Sequence, residues 1–67
     1  MLTLQQIAQF LTENARGANF GRAYFRRDGI DTQFFGVRTI GPDQAPHFMC
    51  DGGSVIPVQE GDTLVQI

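Results

Sequence analysis

The chain has 67 residues, a net charge of −2 at pH 7 and 42% hydrophobic residues. A lone cysteine, Cys50, excludes an intrachain disulfide, and a lone histidine, His47, leaves too few ligands for a structural metal site. A single domain of this size (1–67) buries only ~60% of the surface its unfolded chain exposes, so self-association or a partner is the support that remains open.

Charge is unevenly placed. The first 38 residues hold all five arginines (Arg16, Arg22, Arg26, Arg27, Arg38) against Glu13, Asp28 and Asp31, whereas 39–67 hold only acids: Asp43, Asp51, Glu60 and Asp62. The near-neutral total argues against a global field drawing the chain to nucleic acid. No stretch is long and apolar enough to span a bilayer. Met1-Leu2-Thr3 lacks the basic and apolar regions of a signal peptide. With a free cysteine, this leads to the expectation of a cytoplasmic, non-membrane protein.

Thr3 is a good N-cap, and Gln6 three residues later completes a capping box, with Leu2 and Ile7 in the two staple positions. Leu4, Ile7, Ala8, Leu11 and Ala15 follow helical spacing, with Phe10 on the flank of that stripe. Arg16 suits the negative helix end and Gly17 the left-handed C′ position. A helix over about Leu4–Arg16 follows, with one face to bury. A winged helix-turn-helix is set aside as the main reading because no second helical period appears after Gly17.

Phe20 to Ile40 reads as a β-hairpin turning at Asp28-Gly29. A two-residue turn pairs Arg27 with Ile30; a four-residue turn pairs Arg27 with Thr32. Both divide the side chains identically, because the registers differ by two. One face then carries Ala23, Phe25, Arg27, Thr32, Phe34 and Arg38. The other carries Phe20, Arg22, Tyr24, Arg26, Gln33, Phe35 and Val37. Gly21 and Gly36 fall on the first face and signal a bulge, a bend or a close approach of the helix.

Residues 41–46, with two prolines, Gly and Asp, read as a loop. His47–Cys50 is a short strand, 51–53 a turn, Ser54–Val58 a strand near an edge or end at Pro57, 60–62 a turn, and Thr63–Ile67 a last strand. The expected fold is α+β: one N-terminal helix packed on a small, curved antiparallel sheet of four to five strands, in the order α-β-β-β-β.

Catalytic chemistry finds little footing. His47 and Cys50 lie three apart on a strand, on opposite faces, and no third group orients them. The acids sit in or beside turns, where they serve the backbone. Phe48 and Met49 alternate faces and read as core filler. No enzyme activity, cofactor or metal is expected.

The remaining signal is the hairpin face bearing Phe20, Arg22, Tyr24, Arg26, Gln33, Phe35 and Val37. Aromatics mixed with arginine are the composition of protein-interface hot spots. They also hold single-stranded nucleic acid by stacking and phosphate contact. The function expected first is a non-enzymatic protein-binding module: a homodimer, or a small phage- or mobile-element-type modulator of a larger protein. The alternative is a nucleic-acid binder using the same arginine and aromatic side chains.

Overall fold

Local chemistry starts the helix as its sequence predicts. The Thr3 amide donates to Gln6 Oε1 (2.9 Å) and the Gln6 amide to Thr3 Oγ1 (3.1 Å), satisfying two orphan N–H groups at once. Helix α1 spans Leu4–Arg16. In this computed structural model residues 1–16 and 23–66 are described, Ala15 and Arg16 by their backbone alone; the placements expected for those two side chains, and for Gly17, Phe20, Gly21, Arg22 and Ile67, lie outside what is described.

Five strands follow: β1 (Ala23–Arg27), β2 (Ile30–Ile40), β3 (Ala45–Cys50), β4 (Val55–Pro57) and β5 (Thr63–Gln66). They form one antiparallel sheet in the order β4-β3-β2-β1-β5. The architecture is thus one helix on a five-stranded antiparallel sheet that is not closed into a barrel. β3 begins at Ala45, inside the segment expected to be loop, and a single 3₁₀ turn (Asp51–Gly53) links it to β4.

The first hairpin takes the two-residue turn. Arg27 pairs with Ile30 and Arg26 with Asp31, while Asp28 (φ 54°) and Gly29 (φ 77°) both adopt the left-handed conformation this turn demands. Further along β2 the ladder slips. Phe34 pairs with Cys50, but Gly36 pairs with Met49, so Phe35 is an extra residue in β2. Such a bulge sets two residues, Phe35 and Gly36, against one, Met49. A Cβ at Gly36 would meet Met49 Sδ at 3.5 Å, an ordinary van der Waals contact, so the bulge does not depend on glycine for space.

The bulge corrects the expected division of faces. Before it, alternation holds: Ala23, Phe25 and Phe34 are buried, Tyr24 is half-buried, and Arg26 and Gln33 are exposed. After it, the sides exchange. Val37 stands opposite the buried Phe48 and packs on the core, whereas Arg38 turns outward beside His47.

The core is aromatic. Phe25 of β1 and Phe48 of β3 stack with centroids 4.0 Å apart, Phe34 of β2 tilts against both (6.1 and 4.9 Å), and Phe10 of α1 stacks on Phe34 at 6.5 Å. Strands two apart in a flat sheet stand ~10 Å from one another. Contact between Phe25 and Phe48 therefore requires a sheet curled around β2, as expected. Ile7 (0% exposed), Ala23, Cys50 and Val58 complete the buried set, and Leu2, Leu11, Ile56 and Leu64 pack against it.

The helix is rotated from the expected stripe. Ile7, Phe10, Leu11 and Asn14 face the sheet, while Leu4 is 39% exposed and Ala8 lies outward. Stacking Phe10 on Phe34 brings its large ring inward, and that turns Leu4 and Ala8 away. Asn14 is buried as a consequence, and its Oδ1 has no hydrogen-bond partner among the described residues.

Candidate functional site

Two places on the described surface merit consideration. One is the sheet face turned away from α1. Each strand contributes an apolar side chain to a band across it: Val65 from β5, Tyr24 from β1, Phe35 from β2, Met49 from β3 and Val55 from β4; Ile40, 39% exposed, lies further along β2 on the same face. Pairing sets Tyr24 beside Val65 and Met49 beside Val55, and the bulge sets Phe35 beside Met49. Tyr24, Met49 and Val65 are half-buried by one another and their neighbours; Phe35 is 60% exposed. An apolar band thus crosses the sheet, with Tyr24 directly opposite Gln33 and Phe35 its diagonal neighbour.

Charged groups border this band. On one side Arg26 donates from Nε and Nη2 to the two Asp31 oxygens at 2.7 and 3.1 Å. The paired guanidinium holds the Asp31 carboxyl below its ordinary range, and the hydrogen bond to Asp31 holds Arg26 above its own. On the other side Arg38 and His47 are cross-strand neighbours. His47 Nδ1 lies 2.8 Å from the Ala45 carbonyl. Arg38 is exposed and forms no ion pair among the described residues.

The residues expected to form a site are therefore partly reunited. Tyr24, Arg26, Gln33 and Phe35 share the outer face; Val37 does not, because the bulge sends it inward. Phe20 and Arg22 lie outside the described residues. Met49, Val55, Val65 and Arg38 belong to the face and were not expected there; Met49 in particular is not core filler. The signal for Met49 and Arg38 was Gly36, whose presence inside a strand marks the slip in alternation. The partnerships of Val55 and Val65 depend on strand order, which no local pattern encodes.

The second place is a shallow cavity of about 210 Å³ at the tip of the first hairpin, lined by Phe25, Arg27, Asp28, Ile30, Thr32 and Ile56. Arg27 closes one wall. Its Nε and Nη2 reach Asp62 at 2.8 and 2.7 Å, Nη2 also reaches the Pro57 carbonyl at 2.8 Å, and its guanidinium carbon lies 5.4 Å from the Phe25 ring centre. Asp62, 6% exposed, also accepts from the Gln59 amide at 2.8 Å. Hydrogen bonds from Arg27 hold its carboxyl below the ordinary range against the opposing effect of burial. This array satisfies itself. It ties the β4–β5 connection to the end of β1, a structural duty, and the Arg27 charge is spent internally.

His47 and Cys50 are not brought together. His47 sits on the outer face and Cys50 (5% exposed) on the inner, and burial pushes the Cys50 thiol up, away from the nucleophilic thiolate. No group of three His, Cys, Asp or Glu side chains gathers to hold a metal, and no helix is long and apolar enough to cross a membrane, among the described residues. No family model, curated protein or solved structure matches the chain.

Proposed function

We propose that this protein is a non-enzymatic protein-binding module whose contact surface is the sheet face opposite the helix. The observation that carries the reading is the apolar band Val65–Tyr24–Phe35–Met49–Val55, with Phe35 60% exposed at its centre and arginine at both borders. Interfaces concentrate aromatic residues and methionine at the centre and enrich arginine. A curled five-stranded sheet buries its core with the other face alone, so the outer aromatics are surplus to folding.

A nucleic-acid reading has less support. It needs cations free to meet phosphates, yet Arg26 is engaged by Asp31 and Arg27 by Asp62. Only Arg38 among the described arginine side chains stands without such a partner.

The test is a photo-activated benzoyl group placed at position 35 or 24, with positions 5 and 9 on the helix as controls, irradiated in the cells that make the protein. A discrete protein adduct from 35 and 24, competed by the unmodified chain but not by Phe35→Asp, is expected. Adducts that form equally from the helix positions, or that nuclease removes, overturn the reading.

A further inference from the structure

We infer that the outer face is closed by a second copy of this chain, with the two β2 strands crossing antiparallel about a two-fold axis at Phe35. The inference rests on the reading of this face as a protein interface and names its occupant. An isologous contact requires a surface that complements itself when turned through 180°. The outer row of β2 meets that requirement. Reading outward from Phe35, Asp31 lies toward one end and Arg38 toward the other.

At ~3.3 Å per ladder position, with the bulge spanning one position, Asp31 lies about 12 Å before Phe35 and Arg38 about 8 Å after it. A two-fold operation through Phe35 therefore brings each Arg38 to within one ladder position, ~3.3 Å along the strand, of the other copy's Asp31. An arginine side chain spans that offset easily. The same operation places Phe35 on Phe35 at the centre and brings Met49 and Tyr24 of each copy over the band of the other.

Both members of the proposed pair are fit for it. Arg38 is exposed and lacks an ion-pair partner among the described residues. Asp31 already accepts from Arg26, but its side chain is 26% exposed, and a carboxylate offers about four acceptor sites for the two it uses. Arg26, Asp31 and the other copy's Arg38 then form a three-member network around each end of the apolar contact. The acids of residues 39–67 are not needed. Because the sheet curls around the core, this face is convex, so contact is centred on β1, β2 and β3 and the dimer is one that dilution separates.

Sedimentation equilibrium over a dilution series tests this. The wild-type chain is expected to pass from one chain mass to two as concentration rises. Phe35→Asp should remain at one chain mass over the same range. Arg38→Asp and Asp31→Arg should each weaken association at least tenfold, since each makes like-charged pairs in its own dimer. An equimolar mixture of these two variants should associate again, because both cross-pairs are then opposite in sign. Circular dichroism of each variant confirms that it is folded.

A single chain mass for the wild type at every concentration overturns the inference. So does a dimer indifferent to all three substitutions, or one that the mixture fails to restore. The photo-adduct separates this failure from that of the underlying reading. An adduct of twice the chain mass supports the two-fold dimer; one of any other protein mass keeps the interface and overturns the second copy.

Discussion

Phe34 and Phe35 are chain neighbours with the same side chain, yet the first is 1% exposed and the second 60%. Phe34 meets three other rings, at 6.5, 6.1 and 4.9 Å, and with them defines the inside of the sheet. Phe35 stands on the other side with Met49 and Tyr24 near it. Ordinary alternation is enough to separate the two residues, but it does not account for their different consequences. The inner face is closed by one helix and by the curl of the sheet itself; the outer face has neither. The lesson of the pair is that aromatic content says how much surface seeks cover, while topology decides which part of it the chain can cover alone.

The sharpest break of this comparison replaces the two rings in turn. Phe34→Ala opens a cavity in the aromatic core and is expected to cost about 3–5 kcal/mol, much of the roughly 3–10 kcal/mol that a domain of this size commands. Phe35→Ala, measured in dilute solution, should cost less than about 1 kcal/mol. Urea denaturation of both decides it: equal losses would mean that the faces are not distinct.

The next effect comes from the tie at the hairpin tip. Asp62→Ala removes the carboxylate that faces Arg27 and caps the Gln59 amide, and should cost about 2–3 kcal/mol. Its pH dependence has a definite sign. Asp62 has a lowered folded-state pKa, so its contribution is full above the ordinary aspartate value of about 4 and is lost as pH falls through the folded value. The melting temperature of the wild type should therefore fall on acidification below about pH 4, and Asp62→Asn should flatten that fall. An unchanged slope would remove Asp62 from the account.

The smallest effect sharpens the comparison most. Val37 and Arg38 exchange sides through the bulge, so Val37→Ser should destabilise the fold by about 1–2 kcal/mol. Arg38→Ser should leave the isolated chain within about 0.5 kcal/mol. The opposite ranking is what uninterrupted alternation from Phe34 would give, and thermal melts of the two variants distinguish them.

These points mark how far the sequence is readable. The capping box, the helix limits and the Asp28-Gly29 turn are visible because a few neighbouring residues determine them. The inside and outside of the hairpin are visible up to Phe34 for the same reason, since period-two alternation is local. The placement of Val37, Arg38 and Met49 fails at a slip in register that involves a partner strand. The expected helix stripe fails because the Phe10–Phe34 stack, 24 residues apart in sequence, sets the rotation of α1. The Arg27–Asp62 tie spans 35 residues and leaves no local trace. The outer band draws one side chain from each of five strands, so it exists only once the strand order does.

The bulge gives Phe35 a standing that no other described aromatic residue shares. Cut it from the chain, and Phe34 would still point inward, Gly36 outward and Val37 inward, with Met49 opposite one residue instead of two. The ladder would become regular and every remaining side chain would keep its side. Phe35 is therefore supernumerary to the fold: the architecture could be written without it, and its ring occupies the middle of the one face that the architecture leaves open.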